Sequence, residues 1–584
     1  MENNCEPKTY AGFTIGPIYE VLGSARKTRE LWFGSYFFSW FMEKLIEEIL
    51  ESDDKNIRFL SPYIKRPFGL NKSPTGKYHD RFILCSSLDK EKLFDIIKDA
   101  SEKTIDFFVD IIDKLINNGF GKYLNSFNKD KVKEFLSWYI QRNFVIIDKD
   151  ELNNENPFAF VNSLLDSMEE NRTFKTGVNE STCYVCKVLP AAIKAYIYTK
   201  EKEEPEEEPL CPMCFLKHFA LFSDEVKKKI GKTDFKFPST LEISAKELLS
   251  KDIRDKLEGQ TNNFEKDFEY KDIENTYKEV YGDSKEIKKY LKKDYFKYFA
   301  ILQADGDNLG ETLKQLNENE IEKLSQKLLD FSKEAERIIK DYEGYPIYIG
   351  GDDILALTPV AVNKEDGNFK NVFNLAKELH NKYSEVLCGY GTTLSIGINI
   401  VYYKFPLSIA LRDARNELFD VAKQKCKKNA LAITYTIHSG DRHEITFKFD
   451  KENICDNEIT LFGRLISDVL SDTIKIPQGL FYNLSRFSEL LSYITDEKSL
   501  SNFFENNFNE PEHLEKYKQG LESVKEYLEK VMLPCINFDK QGCSDQLSDS
   551  SGTSDKKSPY EKRIVCVEGV LEKIKFIKFL YGEE

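Results

Sequence analysis

Residues 345–357 read Tyr-Pro-Ile-Tyr-Ile-Gly-Gly-Asp-Asp-Ile-Leu-Ala-Leu, which places a Gly-Gly-Asp-Asp turn between two apolar runs. Apolar runs on both sides of a glycine turn predict a β-hairpin. Gly350 and Gly351 allow positive φ angles and a close approach of a ligand to the main chain. Asp352 and Asp353 are adjacent like charges, so a bound cation is the natural way to keep both ionised. Their oxygen donors suit magnesium or manganese better than zinc.

A second acidic stretch lies 47 residues upstream of Asp352. An apolar strand pattern there ends in Asp305, Gly306 and Asp307, and an amphipathic helix pattern follows. Palm-type polymerases and nucleotide cyclases build a two-metal site from such a strand end and a neighbouring hairpin tip. One metal activates an attacking hydroxyl, and the other holds a triphosphate. Each motif alone also fits an ordinary turn, but their order, each after an apolar strand, favours the metal site.

The composition is that of a globular protein with several domains. The chain has 584 residues, of which 41% are hydrophobic and 31% charged, and this length predicts about three or four domains. No long apolar run or signal-peptide pattern is present, so we expect a cytoplasmic protein that does not enter membranes. A formal charge of −15 means that RNA contacts need local basic patches or partner subunits. Twelve cysteines indicate metal binding or free thiols before disulfides.

The first part of the chain repeats the order of predicted strands and helices found around the acidic motifs, but it lacks the carboxylates. A strand, a helix, a hairpin and a second helix are predicted in both places. Gly16 and Pro62 are 46 residues apart, against 47 for Asp305 and Asp352. The sequence therefore predicts two related domains, one catalytic and one supporting, with a nucleotide between them, since ligand sites at domain interfaces are common.

Two short features of the first part have competing interpretations. Arg26, Lys27 and Arg29 form a basic cluster that either contacts a phosphate or marks a solvated helix start. His79 and Asp80 look like half of an HD phosphohydrolase site, but no helical histidine cluster precedes them. We therefore interpret this pair as a loop at the start of a strand.

Two Cys-x-x-Cys motifs separated by 24 residues predict a structural zinc site. Without a redox or haem context, zinc is favoured over a disulfide or a redox pair. A closed four-thiolate site has no open position, so its expected role is in folding. His218 is a spare ligand candidate, and residues 201–209 form a predicted charged loop. The four candidate ligands are Cys183, Cys186, Cys211 and Cys214.

The region around the acidic motifs continues in a palm-like pattern. Helices near 372–386 and 407–425 alternate with strands near 394–401 and 430–437. This order is ferredoxin-like with one extra strand, as in palm domains. After residue 440 the pattern becomes helical and aromatic, apart from a polar insert at 542–557 that we expect to be disordered.

Lysines cluster after the last helix of this region. They either meet a triphosphate or occupy a helix C-terminus, where cations are favoured. The cluster comprises Lys423, Lys425, Lys427 and Lys428. Of these, we single out Lys423 and Lys428 as candidate nucleotide contacts.

With these motifs assembled, the chain resembles the large polymerase- and cyclase-like subunit of type III CRISPR effector complexes, in its type III-B (Cmr complex) form. The resemblance implies an α+β fold with two ferredoxin-like palm domains of the nucleotide cyclase and polymerase type, a zinc-binding helical module and an α-helical C-terminal domain. The stretches that carry it are 24–36, the two Cys-x-x-Cys motifs, Phe237–Thr240, Asp305–Gly310, Gly350–Asp353 and Pro406-Leu407 with the helix to Lys423.

The expected domain boundaries follow. Residues 1–175 form a first palm-like domain without catalytic carboxylates, and 176–290 form the zinc-binding and helical linker module. Residues 291–440 form the catalytic palm domain, and 441–584 form the helical C-terminal domain. Many relatives begin with an HD nuclease domain that cuts DNA. This chain starts almost directly at the first palm, so we expect that activity to be absent.

The resemblance implies a target-RNA-activated nucleotidyltransferase that makes a nucleotide second messenger from ATP. Most relatives make cyclic oligoadenylate, whereas some type III-B members without the HD domain join AMP to S-adenosylmethionine, and the sequence does not separate these products. The implied partners are other Cmr-complex subunits, with crRNA and target RNA bound through the complex. A non-catalytic scaffold that binds only ATP or RNA is the competing hypothesis. A diguanylate cyclase acting alone is disfavoured because no Glu-Phe follows the two aspartates.

The acidic residues have expected roles in this reaction. Asp305 and Asp352 bridge two magnesium or manganese ions, and Asp353 assists them. The carbonyl of Gly306 adds a ligand, and the two glycines of the turn give access to the nucleotide. An acceptor attacks the α-phosphate of ATP, and pyrophosphate leaves.

Overall fold

The computed structural model describes residues 7–581 with several gaps. The gaps are 66–67, 69–71, 125–126, 153–154, 171–180, 198–205, 234, 261–268, 364–368, 450–453, 509–510 and 538–557. Two sequence predictions fall outside the described residues: the disorder of the insert at 542–557, and residues 201–205 of the charged loop.

The N-terminal part combines a sheet with long helices. Its elements are β1 (Thr9–Gly16), α1 (Ile18–Gly23), α2 (Thr28–Ser52), β2 (Ile57–Ser61), β3 (Arg81–Ser86), α3 (Lys90–Leu115), a π-helix (Ile116–Phe120), β4 (Lys122–Tyr123), α4 (Lys129–Tyr139), β5 (Gln141–Asp148), a 3-10 helix (Lys149–Leu152) and α5 (Pro157–Glu170). Strands β2, β3, β1 and β5 form an antiparallel sheet in that order. Helix α2 is buried over most of its length, and its Phe37 packs on Phe108 of α3 with ring centroids 4.6 Å apart.

The middle part joins this sheet to the next one. Its elements are β6 (Ile193–Ile197), β7 (Glu206–Leu210), α6 (Pro212–Phe219), α7 (Asp224–Ile230), α8 (Thr240–Ser244), α9 (Lys251–Gln260), α10 (Tyr270–Tyr281), α11 (Lys285–Leu291) and 3-10 helices at Ala220–Phe222, Lys246–Leu248 and Asp294–Lys297. Strands β4, β6 and β7 form a small sheet. The prediction of a charged loop is therefore wrong for residues 206–209, because backbone pairing with β6 outweighs the low strand propensity of glutamate.

The second sheet contains both acidic motifs. The elements of this part are β8 (Tyr298–Asp307), α12 (Leu309–Leu313), α13 (Glu318–Asp341), β9 (Tyr345–Gly350), β10 (Asp353–Pro359), β11 (Ala361–Asn363), β12 (Phe369–Asn371), α14 (Val372–Val386), β13 (Thr393–Tyr402), α15 (Leu407–Asn416), a π-helix (Glu417–Lys425), β14 (Ala430–Thr436) and β15 (Arg442–Lys448). Six strands form the sheet in the order β15-β14-β13-β8-β10-β9.

The two sheets share one topology. The order β9-β10-β8-β13 in the second sheet corresponds to β2-β3-β1-β5 in the first. The internal repeat is thus confirmed at the level of strand order. The hairpins differ, because residues 351–352 connect β9 to β10, whereas residues 62–80 connect β2 to β3.

The second sheet has two more strands than the repeat requires. We expected one extra strand and a helical pattern from residue 441. The expectation is wrong for β15, which pairs antiparallel with β14 and extends the sheet beyond that boundary. Ile445 and Phe447 of β15 are buried, so this edge strand is part of the core.

Helices cover both faces of the second sheet. On one face, Phe331 of α13 packs edge-on against Tyr383 of α14 with centroids 5.0 Å apart. On the other face, α15 packs close to the strands, where Asn399 Nδ2 donates to the Ala410 carbonyl at 3.0 Å. The apolar stripe expected on α13 is buried, and its members are Leu324, Leu328, Phe331 and Ile338.

The Phe237–Thr240 motif ties the two sheets together. Thr28 Oγ1 at the start of α2 donates to the Pro238 carbonyl at 2.5 Å. Thr240 Oγ1 donates to the Tyr403 carbonyl at 2.7 Å, just after β13. The motif therefore links a helix of the first part to the second sheet.

The C-terminal part is helical. Its elements are α16 (Ile454–Leu470), α17 (Gln478–Arg486), α18 (Ser488–Tyr493), α19 (Glu497–Asn507), α20 (Pro511–Tyr527), a π-helix (Leu528–Met532), α21 (Leu533–Asn537) and α22 (Pro559–Tyr581). Cys535 and Cys566 form a disulfide between α21 and α22, which the expectation of metal-bound or free cysteines did not include. Among the described residues, no helix combines the length and hydropathy needed to cross a bilayer.

Candidate active site and metal-binding cluster

The end of β8 and the turn after β9 lie side by side. The ladder between β10 and β8 pairs Ile354 with Ala304, and continuing it by one residue places Asp353 opposite Asp305. Residues opposite each other on neighbouring strands point to the same face of the sheet. Asp305 and Asp353 therefore share a face.

Asp352 points to the other face of β8. A methyl group built at Gly306 would lie 2.5 Å from Asp352 Oδ2, and the backbone of Gly306 is hydrogen-bonded to this carboxylate. Because Gly306 and Asp305 are consecutive in a strand, their side-chain directions are opposite. We expected Asp305 to pair with Asp352 and Asp353 to assist. The register places Asp353, rather than Asp352, opposite Asp305.

Asp307 is a structural residue at the end of β8. Its side chain is fully buried and accepts hydrogen bonds from Ser395 Oγ at 2.9 Å, Thr393 Oγ1 at 2.7 Å and the Asn429 amide at 2.9 Å. With its oxygens already used by the protein, Asp307 fixes the strand end beside Asp305.

Lys423 lies against the strand end. Its Nζ contacts the carboxylate of Asp305 and is 2.9 Å from the Gly306 carbonyl. Burial and the charge of Lys428 lower the pKa of Lys423 to about 8. Lys428 Nζ donates to Asn308 Oδ1 at 2.6 Å. Both lysines therefore lie at the acidic strand end, as the nucleotide-contact hypothesis requires.

The two remaining lysines of the cluster differ. Lys425 pairs with Glu444 of β15 at 2.5 Å, so its charge already has a partner away from the strand end. Lys427 begins a three-residue segment with positive φ angles that leads into β14. Lys425 fits the interpretation as an ordinary cation at a helix C-terminus. Lys423 does not, because it contacts Asp305.

The glycines of the turn are packed against protein side chains. A methyl group at Gly350 would overlap the hydroxyl of Tyr348, and one at Gly351 would lie 2.6 Å from His79 Nε2. Gly351 also has a φ of +63°, which favours glycine. We expected both glycines to open the main chain to a nucleotide, but Tyr348 and His79 occupy that space.

The carboxylates of the turn repel one another. Burial raises the pKa of Asp353, and the nearby Asp352 and Asp80 raise it further. Burial also raises the pKa of Asp352, whereas His79 opposes this rise. A divalent cation beside these groups would offset the repulsion. The contact of the Lys423 ammonium with Asp305 and Gly306 shows that a cation fits against these two oxygens.

Three residues of the first part lie near the turn, and sequence reasoning missed their role. Asp80 and Tyr19 are both within electrostatic reach of Asp353. The guanidinium of Arg415 on α15 lies 3.6 Å from the ring centroid of Tyr19, which is 49% exposed. His79 lies in a loop before β3, as predicted. Its side chain packs against Gly351 of the Gly-Gly-Asp-Asp turn.

The four predicted zinc ligands converge. Their sulfurs lie within 4.8 Å of one another, which fits the separation of about 3.8 Å expected for tetrahedral zinc with Zn–S bonds of about 2.3 Å. In the described part of the chain, this is the only group of three or more Cys, His, Asp or Glu residues that meets that distance. Asp305, Asp352 and Asp353 do not meet it. The ligand set is Cys183, Cys186, Cys211 and Cys214.

The neighbours of the cysteine cluster explain the basic residues at the start of α2. The Arg26 guanidinium donates to the Tyr184 carbonyl at 2.9 Å and lies over the Tyr184 ring. Arg29 contacts His218 Nε2 at 3.0 Å, and Glu30 contacts its Nδ1 at 3.2 Å. Both ring nitrogens of His218 therefore have protein partners, and the arginines join α2 to the cysteine module.

A ferredoxin-like sheet with aspartates at the end of its first strand and at the next hairpin defines a palm-domain protein of the nucleotide polymerase and cyclase class. Residues 298–432 match the family model "Cas10/Cmr2, second palm domain". Residues 10–112 match "CRISPR-associated protein Cmr2, N-terminal". The two matches confirm the resemblance of the motifs to the Cas10/Cmr2 subunit of type III-B CRISPR systems.

The chain is also similar to one curated protein and to solved structures. The Cmr subunit Cmr2 of the CRISPR system of Pyrococcus furiosus is 24% identical over 542 residues, which cover 73% of this chain and 61% of that protein. The chain thus spans less than two thirds of the length of this relative. Cryo-EM structures of type III-B Cmr-beta have a similar fold, with 14% identity in both cases. The apo state has a TM-score of 0.53 over 85% of this chain and 76% of that one. The state bound to cognate target RNA has a TM-score of 0.54, over 86% and 78%.

Proposed function

We propose that this chain is a magnesium- or manganese-dependent nucleotidyltransferase that makes a nucleotide second messenger from ATP. The observation that carries the proposal is the position of Asp353 opposite Asp305, with the Lys423 ammonium at the same strand end. The match of residues 298–432 to the second palm domain of Cas10/Cmr2 supports it.

Asp305, Asp353 and the Gly306 carbonyl would hold the metal. These hard oxygen donors suit magnesium or manganese. Such ions would lower the pKa of an attacking hydroxyl and stabilise the leaving pyrophosphate. Asp352 supports this set from the other face through its hydrogen bond with the Gly306 backbone.

Lys423 and Lys428 are proposed to contact the phosphates. Lys423 contacts Asp305 in the structure, and with a metal at that carboxylate its ammonium would be available to a triphosphate. The exposed Tyr19 and the partly buried Arg415 form an aromatic and cationic surface near Asp353, which suits a stacked base. Because Tyr348 and His79 pack against Gly350 and Gly351, these glycines are proposed to position the turn and not to contact the nucleotide.

The acceptor decides the product. In cyclic oligoadenylate synthesis, a ribose hydroxyl of a second ATP attacks the α-phosphorus, the bond to the β-phosphate breaks and pyrophosphate leaves. In the alternative reaction, S-adenosylmethionine supplies the acceptor group to the same site. Both reactions use the same carboxylates, so the proposal covers both.

The proposed setting is a Cmr complex. Its other protein subunits, crRNA and target RNA are the proposed partners, because the structural relatives are a Cmr-beta complex that includes a state bound to cognate target RNA. The four cysteines are proposed to hold a structural zinc ion. We propose domain boundaries after residues 175 and 290. The catalytic palm domain is proposed to end after β15 at residue 448 instead of 440.

A non-catalytic scaffold that binds ATP or RNA is the second candidate. Lys423 favours it, because an ammonium that neutralises Asp305 reduces the need for a metal. Calorimetric titration with magnesium-ATP together with a turnover assay separates the two candidates. Binding without turnover in the presence of target RNA would support the scaffold.

Mass spectrometry of products tests the proposal. The assembled complex is incubated with target RNA, magnesium and ATP, with and without S-adenosylmethionine. We expect an adenylate product that is absent from a complex carrying Asp352→Ala and Asp353→Ala, while complex assembly is unchanged. Product formed by this variant at the wild-type rate would refute the proposal.

A further inference from the structure

A loop of the first sheet reaches the outer edge of the second sheet. The connection between β2 and β3 passes the edge strand β9. There the Gly76 amide donates to the Ile347 carbonyl at 3.3 Å, and the Ile349 amide donates to the Gly76 carbonyl at 2.9 Å. Gly76 thus forms a parallel bridge with Tyr348, and the loop covers backbone groups that an edge strand leaves unpaired.

The loop is anchored in both parts of the chain. The amides of Lys77 and Tyr78 donate to Ser39 Oγ of α2, both at 2.8 Å. Lys77 Nζ lies 2.7 Å from Oε2 of Glu336 on α13, and Thr75 Oγ1 donates to Oε1 of the same residue at 3.0 Å. The path of the loop is therefore fixed from both sides.

The loop places the side chain of His79 against Gly351 of the Gly-Gly-Asp-Asp turn. The space that a methyl group at Gly351 would need is filled by His79 Nε2 at 2.6 Å and Cε1 at 2.7 Å. The imidazole is also within electrostatic reach of Asp352. A side chain from the first part of the chain therefore contacts the turn that carries two proposed active-site carboxylates.

We propose that His79 is a positioning residue for this turn. Its imidazole holds Gly351 in the left-handed conformation and keeps Asp352 on its own face of the sheet. Asp353 is then left facing Asp305. The inference rests on the proposed function, and it gives the first palm-like domain, which lacks carboxylates at the corresponding positions, a direct contribution to the site.

His79→Ala in the target-activated complex tests the inference, with His438→Ala as the matched control. His438 lies in the connection after β14 and packs on Tyr402. We expect His79→Ala to lower kcat by about tenfold or more, as loss of a supporting residue does at metal sites. The KM for ATP and the melting temperature should stay near the wild-type values, and added imidazole should restore part of the rate. A wild-type kcat for His79→Ala, or an equal loss for His438→Ala, would overturn the proposal.

A double-mutant cycle with Gly351→Ala tests the contact itself. Gly351→Ala costs backbone strain because alanine disfavours a positive φ. This strain is the same with and without His79, so it cancels when the effect of Gly351→Ala is compared in the two backgrounds. The steric conflict with the imidazole does not cancel. We expect His79→Ala with Gly351→Ala to lose clearly less activity and melting temperature than the sum of the single changes. Additive losses would show that His79 does not position Gly351.

The two proposals fail in different ways. If the wild-type complex forms no nucleotide product, the proposed function fails, and the melting temperatures of the cycle still show whether His79 and Gly351 are coupled. If the wild-type complex is active and the cycle is additive in both readouts, only the role of His79 is wrong.

Discussion

Asp352 and Asp353 are adjacent in the chain, yet they have different neighbours. Asp353 faces Asp305 across the ladder, whereas Asp352 lies against Gly306 on the other face. The sequence predicted that Asp352 would lie with Asp305 and that Asp353 would assist, whereas the register places Asp353 opposite Asp305. A shift of one residue exchanges the faces of a strand, so only the pairing register decides which carboxylate meets Asp305.

Replacing Lys423 should weaken ATP binding more than replacing a lysine nearby. Lys423→Met removes the ammonium at the strand end, and Lys425→Met is the control because Lys425 pairs with Glu444. A hydrogen bond to a charged group contributes about 1.5–3 kcal/mol, so we expect the KM for ATP to rise about tenfold or more in Lys423→Met.

Initial rates at varied ATP concentration measure this effect. The control variant should keep the wild-type KM. Equal changes in KM for the two variants would show that Lys423 has no special contact with the nucleotide.

Secondary-structure elements with strong apolar patterns were predicted well. The strand predicted at 394–401 is Thr393–Tyr402, and the helix predicted at 372–386 has the same bounds. Strand β15 was missed although Ile445 and Phe447 alternate with polar residues, because the chain after residue 440 was interpreted as helical. Strand β7 was missed because a run of glutamates carries no strand signal, and only pairing with β6 makes it a strand.

The cysteine cluster should stabilise the module around α6 by binding zinc. Cys211 is fully buried and caps the N-terminus of α6, and its Sγ accepts from the Cys214 amide at 3.4 Å. We expect wild-type protein to bind about one zinc ion per chain. Cys211→Ser should lose the zinc and lower the melting temperature by several degrees, since about 1 kcal/mol shifts the melting temperature by about 2–8 °C in domains of up to about 250 residues.

Elemental analysis and thermal melting check this prediction. Cys388→Ser is the control, because Cys388 is an exposed free thiol outside the cluster. A zinc content that is unchanged in Cys211→Ser would contradict the assignment of the site.

The whole molecule explains why part of the candidate site could not be predicted. Tyr19, His79 and Asp80 lie more than 270 residues before the turn in the sequence. No spacing or motif links them to Asp353, and only the packing of the two sheets brings them together. The carboxylates could be predicted because each follows its own apolar strand.

The interface between the two sheets should depend on pH through Glu336. This carboxylate is 10% exposed and contacts Lys77 and Lys340, whose hydrogen bonds and charges outweigh burial and lower its pKa from 4.5 to about 2. A lowered pKa stabilises the folded state above the unfolded pKa. This contribution, up to about 3 kcal/mol, is lost as the pH falls from about 4.5 toward 2.

Urea denaturation of wild-type protein and Glu336→Gln measures this effect. The difference in the free energy of unfolding should be constant above about pH 5 and should shrink as the pH falls below 4.5. Glu334→Gln on the same helix is the control, because the Glu334 side chain is 41% exposed and pairs only with Arg337 in the described structure. A difference that does not change with pH would contradict the role of Glu336.

The most direct test compares the initial rates of ATP turnover for Asp305→Asn, Asp353→Asn and Asp352→Asn in the target-activated complex at saturating magnesium. If Asp305 and Asp353 together hold the metal, both of their variants should lose about 100-fold or more, in the range seen for groups that stabilise developing charge. Asp352→Asn should lose less, because an amide oxygen can still accept from the backbone of Gly306. A rate for Asp353→Asn close to the wild-type rate, with Asp352→Asn inactive, would contradict the account.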